Sequence, residues 1–206
     1  MLACKAGEWV PPPVPLWEIP VSEECLLKFD AKDVTLTAVF AALYVVVNVV
    51  QMSSVGNPTV YGPVQLRVAD CLIALTVLFG WPVVGGVTFG CLITNAYYFL
   101  GAQDVVFGPV ANLVAATVVL VLRRRWFLAC VAGAVPIGVI VGLYLSIFFP
   151  FIIPNGWVLG ALPAVAAMVV SLTISSLIAV AGVGYFLVRV LSRSGAVRVL
   201  RSRGLK

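Results

Sequence analysis

From Val34 onward the chain is a succession of apolar runs separated by short glycine-, proline- or arginine-containing breaks. A run of about 20 helical residues crosses the roughly 30 Å of bilayer hydrocarbon. Six runs approach that length, at 34 to 52, 60 to 80, 82 to 101, 104 to 122, 126 to 150 and 158 to 188. The breaks fall at Gly80-Trp81-Pro82, Gly101-Ala102-Gln103, Arg123 to Arg125, and Pro150 to Asn155. The second run is strongly apolar only from about Val68, so Tyr61-Gly62-Pro63 fits a loop dipping into the membrane. The sixth is longer than a crossing needs and carries Pro163 near its start. The runs are continuously apolar and lack the alternation of a transmembrane barrel. The pattern predicts an all-α polytopic membrane protein of six transmembrane helices.

Residues 1 to 33 read differently. The cluster Trp9-Val10-Pro11-Pro12-Pro13-Val14-Pro15 and Ser22-Glu23-Glu24 predict a proline-rich, partly disordered arm with no signal-peptide pattern. The helical region is then 34 to 190, and 191 to 206 is a basic tail. Composition agrees: hydrophobic residues make up 62% of the 206 and charged residues 10%, against about 25% charged in soluble domains. Histidine is absent, which excludes His-ligated zinc, a Ser-His-Asp triad and a Cys-His dyad. No P-loop pattern occurs, so ATP-driven work would need another chain. Cys4, Cys25, Cys71, Cys91 and Cys130 show no C-x-x-C spacing; the last three, inside apolar runs, read as small hydrophobes. No metal site or cofactor is expected.

The net charge of +5 lies largely in Arg123 to Arg125 and in the tail from Arg189 to Lys206. That distribution is what the positive-inside rule predicts for cytoplasmic loops, rather than a nucleic-acid patch. The triple arginine and the tail are two crossings apart, so both can be cytoplasmic, and six crossings place the N-terminus inside as well. Loops near Asn57, Gln103 and Asn155 then face outward.

Polar residues within the runs are the candidates for function. On the first helix Thr37, Ala41, Tyr44, Asn48 and Gln51 fall on one stripe, while Ala38 and Ala42 form a small-x-x-x-small pair on another face, for a partner helix or for packing inside the chain. Arg67 and Asp70, spaced i, i+3, are ionisable groups at membrane depth, either a ligand contact or a buried pair that neutralises itself within one turn. The corner Asn95 to Asp104 combines amide, aromatic and carboxylate groups. Asp104 is either a helix cap or, with Asn95 and Tyr98, part of a site for a flat heterocycle, since a carboxylate accepts two N–H bonds from a guanine-like edge. Gly86/Gly90 and Gly138/Gly142 have the spacing of tight helix crossings.

Three strings, Gly62-Pro63-Val64-Gln65-Leu66-Arg67-Val68-Ala69-Asp70, Gly90-Cys91-Leu92-Ile93-Thr94-Asn95 and Asp104-Val105-Val106-Phe107-Gly108, resemble the QueT family over about 34 to 190. These are substrate-binding S components of energy-coupling factor (ECF) transporters for queuosine precursors. The family has Arg-x-x-Glu where this chain has Arg67-Val68-Ala69-Asp70. The resemblance implies a six-helix S-component bundle in the cell membrane that captures a deazaguanine-type base from outside. An ECF transmembrane coupling subunit and two ATPase subunits would drive uptake, with Ala38-x-x-x-Ala42 similar to the family's docking motif. Substrate-binding candidates are Asn48, Gln51, Arg67, Asp70, Asn95, Tyr98 and Asp104. The competing readings are an S component for another vitamin-like heterocycle, a self-sufficient secondary transporter, and an intramembrane serine enzyme using Ser171, Ser175 or Ser176.

Overall fold

The computed structural model describes residues 31–55, 67–148 and 164–193. They are helical almost throughout, with no strand among them. Six helical rods follow in chain order. They are α1 (Ala31–Val55), α2 (Val68–Phe79), α3 (Trp81–Tyr98), α4 (Ala102–Val121), α5 (Trp126–Phe148) and α6, which runs through Ala164–Ser176, Leu177–Gly184 and Tyr185–Arg193 without interruption. Four of these, α1, α4, α5 and α6, are long and apolar enough to cross a membrane. Ala31 to Asp33, the last residues of the predicted arm, open α1; residues 1–30 of that arm, the 60 to 66 part of the second run, the loop from 149 to 163 with Pro163, and the tail beyond Arg193 lie outside the described residues.

Two rods depart from plain α-helix. α2 is wound as a 3-10 helix over Val68–Leu75 and as α-helix over Thr76–Phe79, and its winding begins only where the run becomes strongly apolar. Ala69 through Leu75 are all buried, as expected for a helix that is hydrophobic all round and sits in the interior. α6 is π-helical over Leu177–Gly184. It continues past the predicted end at 188 to Arg193, so the first residues assigned to the tail are its last turn.

Glycines set the close approaches. A Cβ on Gly86 would lie 2.9 Å from the Thr37 carbonyl oxygen and 2.5 Å from Phe40 Cβ, and one on Gly90 would lie 2.9 Å from the Ala41 carbonyl oxygen. This is the α3–α1 crossing anticipated from the G-x-x-x-G spacing. Gly138 and Gly142 likewise seat α5 against Thr173 and Val169 of α6. A Cβ on Gly184, in the π segment, would lie 2.8 Å from the Cys71 carbonyl oxygen and 2.7 Å from Ala74 Cβ of α2. At the α2–α3 turn Gly80 takes φ +68°, a left-handed conformation that costs glycine little, and Pro82 occupies the first turn of α3, where its missing N–H is no loss. Cys71, Cys91 and Cys130 are free and buried, as expected of thiols used as small hydrophobes.

Candidate functional site

The Thr37 to Gln51 stripe of α1 faces inward: Tyr44 and Asn48 are buried, Thr37, Ala41 and Gln51 half-buried. The opposite face is exposed, and Ala38 and Ala42 lie on it beside Val39, Leu43 and Val46. Among the described residues, none packs over the two alanines closely enough to bury them.

A ring of polar side chains closes the space between α1, α2, α3, α4 and α5. Tyr44 donates from its hydroxyl to Asp70 Oδ1 (2.8 Å) and accepts from Asn112 Nδ2 (2.9 Å). Arg67, the N-cap residue of α2, directs Nη2 to Asp104 Oδ1 at 3.9 Å and Nη1 to Asn95 Oδ1 at 3.5 Å. Asn95 Nδ2 donates to the Asp104 main-chain oxygen (2.9 Å), and Tyr144 donates to Asp104 Oδ1 (2.5 Å). The Tyr144 ring is held by stacking on Phe107, centroids 5.7 Å apart. Asp70, Asn95, Asp104 and Asn112 are all at most 4% exposed. In a membrane interior such groups are expensive unless they satisfy one another.

Two sequence expectations change here. Arg67 does not simply neutralise Asp70 within its own turn; its ion pair spans the bundle to Asp104, while Asp70 turns to Tyr44. Nor is Asp104 a helix cap. The N-cap of α4 is Gly101, no side chain caps that terminus, and the Asp104 carboxylate faces Arg67 and Tyr144 instead.

The other candidates divide. Gln51 Oε1 accepts from the Val68 backbone N–H (2.8 Å), satisfying one of the orphan donors at the start of α2. Asn48 donates to the Tyr44 carbonyl oxygen within α1 (3.0 Å). Tyr98, at the last residue of α3, is half-buried and stands edge-on to Tyr97 with centroids 4.9 Å apart, so its ring contact is with its neighbour rather than with the ring of polar groups. Two participants escaped the sequence reading. Asn112 had a signal, because Asp104, Gly108 and Asn112 recur at i, i+4, i+8 on one face. Tyr144 had none, since its partner lies 40 residues away.

The spacing also explains Gly108. A Cβ there would collide with Asn95 Nδ2, so the missing side chain is what lets Asn95 reach Asp104. Beneath the ring lies a cavity of about 20 Å³, lined by Arg67, Asp70, Gly108, Asn112, Ile137, Val141, Leu172 and Ser176. That is room for roughly one water-sized group, against roughly 300–1,000 Å³ for a small-molecule pocket. Among the described residues no group of His, Cys, Asp or Glu is arranged to hold a metal.

A bundle of apolar helices that buries a constellation of carboxylates, amides, tyrosines and one guanidinium defines a membrane-embedded protein with a polar interior. The family model "QueT transporter" matches residues 34–193, and the chain belongs to that family. It is thus a membrane transport protein. Ser175 donates to the Ser171 carbonyl oxygen within its own helix (3.0 Å). No curated protein and no solved structure matches the chain.

Proposed function

We propose that this protein is the substrate-capture subunit of an ATP-driven ECF importer and binds a queuosine precursor, a 7-deazaguanine-type base, from outside the cell. The observation that carries the reading is the buried ring of Arg67, Asp70, Asn95, Asn112, Asp104, Tyr44 and Tyr144. A guanine-like edge offers N–H donors beside a carbonyl acceptor. The Asp104 carboxylate, the Asn95 amide and the Arg67 guanidinium are complementary to such an edge. The cavity is too small for a whole base, so capture requires the helices around Arg67 and Asp104 to part, as in an induced-fit site.

The partner assignment is supported by α1, whose Ala38 and Ala42 leave a shallow strip on an exposed apolar face, suited to close approach of a coupling-subunit helix. Two ATPase subunits would supply the energy, consistent with the lack of a P-loop here. A self-sufficient ion-coupled transporter is disfavoured because α5, and α6 before Arg189, carry no ionisable carboxylate or base for an ion path. In this reading both termini and the triple-arginine turn are cytoplasmic, in the cell membrane.

The test is calorimetric titration of the purified protein with a deazaguanine base, together with mass spectrometry of co-purified small molecules. Asp104→Asn should weaken affinity about tenfold to a few hundredfold, corresponding to about 1–3 kcal/mol for mismatched buried polar groups. Unchanged affinity in a folded variant would remove Asp104 from the site.

A further inference from the structure

Hydroxyls on the α-wound stretches of this bundle share one habit. Thr37, Thr88, Thr94, Ser146 and Thr173 each bond the carbonyl oxygen four residues back, which is how a helix satisfies a hydroxyl where water is scarce. Thr76 departs from it. Its side chain is 0% exposed, and its Oγ1 is the buried side-chain polar atom left without a hydrogen-bond partner among the described residues. The cause lies in the winding of α2. Leu72, four residues earlier, is in the 3-10 stretch, and the Thr76 backbone N–H bonds the Ile73 carbonyl, three residues back. At about 120° per residue the Leu72 carbonyl lies about 120° round the axis from Thr76; in an α-helix, at about 100° per residue, it would lie about 40° away, within reach of the hydroxyl.

The 3-10 stretch is also long, eight residues against the usual three to four, and it packs on the π segment of α6, where Gly184 leaves room for Cys71 and Ala74. The two departures are complementary. A 3-10 helix is narrower than an α-helix and a π-helix wider, so a turn of α2 that widens to α is accommodated when α6 narrows to α. One end of α2 is fixed by the Gly80 turn and by Phe79 against Phe40, centroids 5.4 Å apart. Rewinding Leu72 to Thr76 as α-helix therefore acts on the other end, which it draws in by about 2 Å and turns by about 80°. That end carries Arg67 and Asp70. Because α2 is apolar on every side from Cys71 to Leu75, the turn exchanges one apolar face for another, while the contacts of Arg67 with Asp104 and of Asp70 with Tyr44 both part.

We propose that Thr76 is a positioning residue for ligand capture: its hydroxyl is orphaned in the closed bundle and bonds the Leu72 carbonyl when the turn rewinds, stabilising the open ring that admits the ligand. The proposal rests on the capture function above. The ligand-free protein samples the rewound turn as a minor state, and ligand makes it the major one.

The experiment uses the protein in lipid nanodiscs, with a trifluoromethyl label on Val68→Cys, a half-exposed position at the moving end of α2. Fluorine saturation-transfer spectra of the ligand-free protein should show a minor state, absent in Thr76→Val and kept in Thr76→Ser, which retains the hydroxyl. A single state in the ligand-free wild type, or a minor state untouched by Thr76→Val, overturns the proposal. Saturation with 7-aminomethyl-7-deazaguanine should make the minor state the major one, and a bound base that leaves the spectrum unmoved overturns it. Thr76→Val should weaken that base about tenfold, while Thr76→Ser stays within about threefold of wild type. Equal affinity of Thr76→Val and wild type overturns the proposal, as does equal loss in the two variants. Thr76→Val should also raise the melting temperature of the ligand-free protein, since it removes an unpaired buried hydroxyl at nearly constant shape; a lowered value would mean that the hydroxyl has a partner in the closed bundle, and overturns it. If the base does not bind at all, the deazaguanine reading fails, and the ligand-free spectra and melting temperatures decide the role of Thr76 by themselves.

Discussion

Helices α1 and α2 lie side by side, are comparably apolar, and meet opposite surroundings. On α1, Val34, Val39, Leu43, Val46 and Val50 are exposed, and the inner stripe carries its buried polar side chains. Exposed hydroxyls on α1 bond back to carbonyls of the preceding turn, Thr35 to Ala31, Ser53 to Val49 and Ser54 to Val50. This is how a helix carries polar groups where lipid offers no partner. α2 has protein on every side from Ala69 to Leu75. It carries Arg67 and Asp70, and its 3-10 winding, with poorer hydrogen-bond geometry, is held by its neighbours. At about 2.0 Å per residue against about 1.5 Å, that winding also stretches eight residues across about 16 Å instead of about 12 Å. A short buried segment can thus carry the charge because the longer, lipid-facing helices shield it.

Breaking the α2 side should have the largest effect. Arg67→Leu leaves Asp70 and Asp104 as two buried carboxylates without a cation, and removing one partner of a buried pair costs about 3–5 kcal/mol. Against a typical stability of about 5–15 kcal/mol that is a large share. Thermal unfolding in detergent should show a sharply lowered midpoint, and binding should be lost. A midpoint close to wild type would mean that the carboxylates are not coupled through Arg67.

A smaller effect sharpens the same comparison through packing. In Gly184→Ala the new methyl would meet Ala74 Cβ and the Cys71 carbonyl oxygen, both on fixed backbone, so the π segment of α6 must move off α2. Overpacking of this kind costs about 1–3 kcal/mol. Because α2 carries Arg67 and Asp70, ligand affinity should fall along with the melting temperature. A fall in stability with full affinity would show that the site tolerates a shift of α2.

The same contrast explains what could be read from the sequence. Lipid-facing helices are legible because lipid imposes a rule on every residue: α1, α4 and α5 begin and end within a few residues of the apolar runs, and the α1 stripe faces inward as its periodicity requires. α2 is less legible, since a segment packed on all sides obeys its neighbours, and nothing in Val68 to Leu75 announces 3-10 winding. The π segment of α6 is equally silent, and Arg189, which ended the apolar run, did not end the helix. Within the site, Arg67, Asp70, Asn95 and Asp104 stood out because ionisable and amide groups are rare at membrane depth. Their pairing did not, because Arg67 and Asp104 are far apart in sequence and adjacency favoured Asp70. Tyr144 gave no signal, because its partner Asp104 lies 40 residues away.

The smallest effect on stability is expected on the outer face of α1, and there the comparison becomes a statement about partners. Ala38 and Ala42 are exposed, so a larger apolar residue at either position displaces lipid and is buried by none of the described residues. Substitutions away from core, caps and networks usually change stability by no more than about 0.5 kcal/mol. Ala42→Leu should therefore leave melting temperature and ligand affinity of the isolated protein at wild-type values. If a coupling-subunit helix approaches closely over these alanines, the added side chain holds the two backbones apart, and uptake by cells expressing the whole transporter should be abolished. Retained uptake would move the docking surface away from this strip. Lost binding in the isolated protein would instead show that the outer face of α1 communicates with Tyr44 and Asp70 on the inner one.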